Sequence, residues 1–397
     1  MKETLYGKDK KDGLKVWTIE VTPCLYDDSV PVISISHGKL GGKMQIKLEN
    51  VSEGKQGRNR YEQAVSMAEG RVKKQIDKGY RHTQAELEDL PVLAMLAADY
   101  RKKGHQISFP CYGSVKYDGV RALVKKKNGV VTIESRTSQP YDIPHLQAEL
   151  EGVMQEGDIW DGEIYLHGFA LQEITSAVKR TDTQAEIYAV ERKIGKHINN
   201  SEGGELAWNV KFKELNQELT EAKLIHELRP KLQFHIFDVV SDKVFEDRLE
   251  DLKFLDGLIN IEFIKLTQYF VVTDEAHMKE RHKVAVNGGY EGIMLRNFFG
   301  VYESGKRSND LQKYKEFFDA EFIIQRTRTD KDGLAVYDLK NDLNDLEFSC
   351  IMGSHADKAA AADGRNDGKA LTVKFQTRYK DTLLPQFGVG VAIRDYE

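Results

Sequence analysis

Apolar and polar residues alternate along Val16-Trp17-Thr18-Ile19-Glu20-Val21 and again along Val32-Ile33-Ser34-Ile35-Ser36. A period of two puts the apolar set on one face, so both stretches predict strands of a half-buried antiparallel sheet. The glycines of His37-Gly38-Lys39-Leu40-Gly41-Gly42-Lys43 predict a tight turn into a further strand, Met44-Gln45-Ile46-Lys47-Leu48. From Asn59 the period changes. Ala64, Met67, Ala68, Val72 and Ile76 recur at helical spacing until Gly79-Tyr80 ends the run. Residues 1–85 thus predict one sheet with one long helix, and Glu86 to Met95 a linker, because Pro91 discourages a continuous helix. Residues 86–317 read as mixed strands and helices, with a charged helical stretch from Glu186 to Leu228 broken at Asn199-Asn200-Ser201-Glu202-Gly203-Gly204. That stretch predicts a solvated face with a surface loop. Residues 318–397 predict short alternating strands with turns at Lys331-Asp332-Gly333 and Gly364-Arg365-Asn366-Asp367-Gly368, the pattern of a small barrel.

A chain of 397 residues has room for two or three domains, each with its own core, and 40% hydrophobic with 30% charged residues predicts a soluble globular protein. No apolar run approaches the length of a membrane span, and Met1-Lys2-Glu3-Thr4-Leu5-Tyr6 lacks the apolar stretch of a signal peptide. The expectation is a cytoplasmic monomer that does not engage a membrane. Cys24, Cys111 and Cys350 have no CxxC spacing, which fits buried, inert thiols in a reducing compartment and offers no zinc site. The net charge of -5 speaks against a wholesale nucleic-acid coat, but Lys39 to Arg81 holds eleven Lys/Arg against five Asp/Glu. This patch, with Lys39 and Lys43 at its start, is a candidate footprint for a polyanion.

The candidate chemistry centres on Lys116-Tyr117-Asp118-Gly119-Val120-Arg121. A protonated amine is a poor nucleophile, so a reactive lysine needs cations or a metal nearby to favour its neutral form. Gly119 permits a tight turn that keeps Asp118 and Arg121 close to whatever Lys116 holds, a grouping suited to an amine beside a triphosphate. Further on, Lys313 and Lys315 alternate along a predicted strand and share a face that can cradle phosphates. Glu291 precedes an apolar Ile293-Met294-Leu295 strand, from which a hard oxygen ligand could reach Mg²⁺. Singly, these features are also compatible with a charged turn and exposed strand lysines, and Phe237 with a plain core aromatic.

In order along the chain stand Ser135-Arg136-Thr137, Asp161-Gly162-Glu163-Ile164, Phe234-His235-Ile236-Phe237-Asp238-Val239, Glu291-Gly292-Ile293-Met294-Leu295-Arg296 and Leu311-Gln312-Lys313-Tyr314-Lys315. Together with the Lys116 motif and the lead-ins Pro91-Val92-Leu93-Ala94-Met95 and Phe109-Pro110, this series resembles the ATP-dependent DNA ligases of the covalent nucleotidyltransferase superfamily. The resemblance implies an α+β multidomain protein with a nucleotidyltransferase (adenylation) domain at 86–317 and a C-terminal OB-fold β-barrel at 318–397. Residues 1–85 resemble a WGR domain, a DNA-binding module, with His37-Gly38-Lys39 standing where that family has Trp-Gly-Arg. By the same resemblance Lys116 takes AMP from ATP, Glu163 holds the ribose, Phe237 stacks on adenine, Glu291 holds Mg²⁺ and Arg136 holds the 5′-phosphate of nicked double-stranded DNA. Asp118 and Arg121 fall beside the nucleotide and the 3′-OH. The family's closing basic motif is incomplete: Arg394 is present but Asp395-Tyr396-Glu397 follow, so Lys374, Arg378 or Lys380 are alternatives for its role. NAD-dependent ligases are disfavoured, since scattered cysteines leave no four-cysteine zinc site. An RNA ligase or capping-type enzyme stays open as an alternative, as does a non-catalytic DNA-end-binding scaffold.

Overall fold

The computed structural model describes residues 1–9, 13–23, 30–87, 92–199, 205–258, 262–330, 333–379 and 382–394. Cys24, Pro91, the break at 200–204, the first two residues of the 331–333 turn, Lys380 and the terminal 395–397 lie outside them. The chain divides into two compact units, Met1–Tyr314 and Lys315–Glu397.

The first unit opens with β1 (Lys2–Lys8), β2 (Leu14–Pro23), β3 (Pro31–Lys39) and β4 (Met44–Asn50), an antiparallel sheet in sequence order, followed by α1 (Arg60–Ile76). The three expected strands and the helix are present; β1 is additional, because only Leu5 and Gly7 of its seven residues are buried and no alternation marks it. A capping box starts α1, with Asn59 Oδ1 accepting the Glu62 N–H and Glu62 Oε2 accepting the Asn59 N–H, each at 2.9 Å. Ala64, Ala68 and Val72 then pack on Leu5, Trp17, Ile19 and Ile33, while Arg71 Nη2 donates to both carboxylate oxygens of Glu49, at 2.7 and 2.8 Å.

Next come β5 (Leu96–Asp99), α2 (Tyr100–Lys103), β6 (Cys111–Lys116), β7 (Val120–Lys127), β8 (Val130–Ser135), β9 (Pro140–Tyr141), α3 (Pro144–Val153), β10 (Ile159–Tyr165) and α4 (Leu171–Lys179). The charged stretch forms α5 (Thr183–Asn199) and α6 (Glu205–Leu228). The unit closes with β11 (Gln233–Val239), α7 (Phe245–Leu258), β12 (Ile264–Leu266), β13 (Phe270–Val272), α8 (Glu275–Asn287), β14 (Gly292–Arg296) and β15 (Arg307–Tyr314). The strands make two sheets, β12-β11-β10-β7-β8-β9 and β13-β6-β14-β15-β5. On the six-stranded sheet Leu146, Ile174, Ile225 and Leu249 from four helices surround Trp160, Ile164 and Phe234. On the five-stranded sheet Met278 of α8 packs with Cys111, Val272, Ile293 and Leu295.

Along β11, Phe234, Ile236 and Asp238 share the buried face, so a carboxylate stands where the alternation calls for an apolar side chain. Arg248 Nε donates to Asp238 Oδ1 at 2.7 Å and Arg296 Nη1 to Oδ2 at 2.5 Å. Arg248 also donates to the carbonyls of Lys243 and Gly300, at 2.6 and 3.1 Å. Because Arg296 ends β14, this trio ties one sheet to the other.

The second unit holds β16 (Phe318–Thr329), β17 (Ala335–Lys340), β18 (Glu347–Cys350), α9 (His355–Ala360), β19 (Ala370–Phe375) and β20 (Val389–Arg394) in the antiparallel order β18-β17-β16-β19-β20. Phe322, Ile324, Tyr337, Leu371 and Phe375 form its core. Among the described residues this sheet is not a closed ladder; the parallel bridge Met352–Gly390 joins the β18 side to β20. Cys111 and Cys350 are buried, and burial pushes their thiols up to about 12 and about 11, as inert cysteines require. Among the described residues no helix is long and apolar enough to cross a membrane.

Removing the carboxylate at the centre of the trio leaves two buried cations facing each other. Asp238→Asn is expected to destabilise the protein by about 3–5 kcal/mol, the cost of breaking a buried ion pair from one side. Urea unfolding of the full chain measures this, and a loss under about 1 kcal/mol contradicts it.

Candidate active site

Lys116 ends β6, and its partner across the antiparallel pair is Gly292 at the start of β14. Glu291 donates its backbone N–H to the Lys116 carbonyl at 3.0 Å, and its carboxylate forms an ion pair with the Lys116 ammonium. One strand register therefore brings together two groups separated by 175 positions in sequence. Alternation then places Ser114, Lys116, Met294, Arg296, Leu311 and Lys313 on one face, where they line a cavity of about 240 Å³.

The six-stranded sheet supplies further wall. Arg121 of β7 and Glu163 of β10 are register partners, and both line the cavity with Phe237 of β11. Asp161 pairs with Asp238 but Gly162 with Ile236, which leaves Phe237 as the extra residue of a β-bulge that re-aims its side chain. Arg121 is fixed by Asp161, which is fully buried: Nε to Oδ1 at 2.6 Å and Nη2 to Oδ2 at 2.5 Å. Its guanidinium carbon lies 4.5 Å from the centroid of the Phe237 ring.

Two glycines in the motifs are dictated by close approach. A Cβ on Gly119 would lie 2.5 Å from the Ile164 carbonyl oxygen, and one on Gly162 would lie 2.5 Å from the His235 carbonyl oxygen and 2.6 Å from the Phe234 ring. A side chain at Gly119 would push the start of β7 away from β10, and one at Gly162 would push β10 away from β11, disturbing the strands that carry Arg121, Glu163 and Phe237.

Six cationic side chains line the cavity (Lys116, Arg121, Arg136, Arg296, Arg307 and Lys313) against one carboxylate, Glu163. Such a wall attracts a polyanion. Burial pushes the Glu163 carboxyl up to about 7, against the pull of Lys116 and Arg121. Beside it, burial and then Lys265 and His167 hold His235 down at about 4, and its ring lies 4.7 Å from that of Tyr117. Among the described residues no group of three His, Cys, Asp or Glu converges. A metal here would be held by one or two carboxylates together with substrate phosphates, which is the usual arrangement for Mg²⁺.

The structure thus brings together Lys116, Arg121, Arg136, Glu163, Phe237, Glu291 and Lys313. Arg136 follows β8 in a turn where Ser135 Oγ accepts the backbone N–H of Gln139 at 2.9 Å. Asp118 lies between β6 and β7 and is not among the cavity-lining residues. Lys315 begins the second unit, where it donates to Gln376 and faces the Phe317 ring. Arg394 at the end of β20 donates to Thr372 Oγ1 at 2.9 Å, and Lys374 faces Phe317 from 4.9 Å. Lys39 ends β3, 3.6 Å from Asp9, and Lys43 is exposed in the turn before β4. Sequence reasoning assigned no role to Asp161, Asp238, Arg296 or Tyr302. For the two aspartates a signal existed, since each stands within an apolar strand segment.

The sequence profile of the ATP dependent DNA ligase domain matches residues 91–315, more than half of the chain, and the chain belongs to that family. The DNA ligase of Enterobacteria phage T4 is 24% identical over 256 residues, covering 58% of this chain and 50% of the relative. The DNA ligase of Archaeoglobus fulgidus is 23% identical over 256 residues, covering 62% of this chain and 40% of the relative. The chain spans half or less of the length of these two relatives. A solved structure described as a Lig E DNA ligase with a minimal DNA-binding scaffold superposes with a TM-score of 0.57 at 21% identity, over 76% of this chain and 99% of that one. At that identity the likeness speaks to the fold.

The raised Glu163 carboxyl has a pH signature. The folded state holds this proton up to about 7 while an ordinary glutamate loses it near 4.5, so stability falls as pH rises through that window. Glu163→Gln is expected to remove this slope, making the variant increasingly more stable than wild type from pH 4.5 to 7. Chemical unfolding of both proteins across the window checks it; a constant difference between them contradicts the burial account.

Proposed function

We propose that the protein is an ATP-dependent DNA ligase that seals nicks between 3′-OH and 5′-phosphate ends. The observation that carries this reading is the Lys116 amine set against the Glu291 carboxylate in a cavity with a cationic wall. Lys116 Nζ attacks the α-phosphorus of ATP; the P–N bond forms, the α–β P–O bond breaks, pyrophosphate leaves and the amine loses a proton. A 5′-phosphate oxygen of nicked DNA then takes the AMP, regenerating the lysine, and the adjacent 3′-OH attacks the activated phosphorus and releases AMP. Mg²⁺, with Glu291 as its protein ligand, supplies charge neutralisation on the phosphates.

Lys313 and Arg121 add positive charge around the α-phosphate. Glu163 takes the ribose and Phe237 the adenine face, with the bulge supporting the aim of the ring. Arg136, a planar fork in the cavity wall, takes the 5′-phosphate. Asp118 stands beside the 3′-OH.

The flanking parts fit the same reading. In the second unit the order β18-β17-β16-β19-β20, α9 between β18 and β19, and the Met352–Gly390 bridge support an OB-fold at 318–397. The self-contained sheet and helix of 1–85, with Gly38 in β3 and exposed Lys39 and Lys43, support a WGR-like DNA-binding module.

Lys116→Ala is expected to abolish covalent labelling by ATP, whereas Arg136→Ala should label normally but transfer AMP to nicked DNA at least about tenfold more slowly. Undiminished labelling of Lys116→Ala defeats the reading. Equal loss of labelling in Arg136→Ala defeats the role given to Arg136. Replacing Lys39 and Lys43 together by glutamate should weaken binding to nicked duplex and flatten its salt dependence, since fewer counterions are released. Equal salt slopes for variant and wild type would show that Lys39 and Lys43 do not contact DNA phosphates.

A further inference from the structure

We propose that Tyr302 is a positioning residue that fixes Arg121 for the sealing step, through a closed ring of hydrogen bonds with Asp161 and the backbone of Met95. The inference rests on the ligase reading. The Tyr302 hydroxyl donates to Asp161 Oδ2 at 2.6 Å and accepts the Met95 N–H at 3.1 Å. Asp161 accepts both arms of Arg121, and Arg121 Nη2 donates to the Met95 carbonyl at 3.2 Å, which returns the ring to the residue where it began.

Each member depends on the others for orientation. Asp161 is fully buried, so its oxygens must find donors within the protein; Tyr302 supplies the donor that Arg121 does not. Tyr302 uses its proton and a lone pair of the same oxygen, so phenylalanine at this position removes two bonds without changing the ring's bulk. The loop that carries Tyr302 also clasps the segment that carries Met95 and leads into β5. Leu93 N–H donates to Ser304 Oγ at 3.0 Å, Gly305 N–H to the Leu93 carbonyl at 3.2 Å and Leu96 N–H to the Lys306 carbonyl at 2.8 Å. These bonds secure Met95 without touching Arg121 or Asp161, so the clasp and the ring can be tested separately. Burial, then the Asp161 carboxylate, hold the Tyr302 phenol well above its ordinary range, so it stays a donor at any working pH.

The test is a double-mutant cycle on full-length protein, sealing nicked duplex that carries a preformed 5′-adenylate. Tyr302→Phe should lower kcat about tenfold, as for the loss of a hydrogen bond to a charged group, with KM for DNA changed less than about twofold. In an Arg121→Ala background the same change should have no further effect, because its target is gone. Ser304→Ala, which loosens the clasp alone, should keep kcat within about twofold of wild type. Multiplicative effects of Tyr302→Phe and Arg121→Ala, or a Ser304→Ala loss equal to that of Tyr302→Phe, overturn the proposal. Should Tyr302→Phe prove unstable, Tyr302→His takes its place in the cycle with the same two outcomes. Wild-type protein that fails to seal overturns the ligase reading itself, which separates that failure from this one.

Discussion

Two fully buried carboxylates, Asp161 and Asp238, carry the architecture of the cavity. A wall rich in lysine and arginine repels itself, and arginine cannot shed its proton to escape burial. Asp161 takes the charge of Arg121, while Asp238 is shared between Arg248 and Arg296. The pairing neutralises part of the wall from behind and leaves its front face cationic. It also aims the guanidiniums, since a two-pronged bond fixes a plane as well as a distance.

Strand register does the remaining assembly. The pairing of β6 with β14 puts Lys116 beside Glu291, and the pairing of β14 with β15 puts Lys313 on the same face. A slip by one residue would turn the amine and the lysine to the opposite side of the sheet. The apolar residues that alternate with them, Val115, Ile293 and Leu295, face the core cluster under α8, so burial of that cluster opposes the slip. The same apolar packing that stabilises the sheet therefore sets the placement of Lys116, Glu291 and Lys313.

Much of this was legible in the sequence. Strand alternation over 16–21 and 32–36 and the helix from Asn59 are borne out, because each carries a period that packing reinforces. The motif residues Lys116, Arg121, Glu163, Phe237, Glu291 and Lys313 do converge, and the glycines beside them prove to be sites of close backbone approach. Three things were hidden. β1 lacks alternation and is held by its partner strand. The bulge that frees Phe237 arises from a mismatch between two strands, which neither strand reveals alone. Tyr302 acts, in the inference drawn from its bonds, through contacts to residues 141 and 207 positions away, and no local pattern encodes such distances.

The central claim is that Lys116 is the amine that takes the nucleotide. Peptide mapping by mass spectrometry of the wild-type protein, after incubation with ATP and Mg²⁺, tests it directly. The account predicts AMP on the peptide containing Lys116, released when nicked DNA is added. AMP on any other lysine, or a nucleotide-free protein that nonetheless seals nicks, would contradict it.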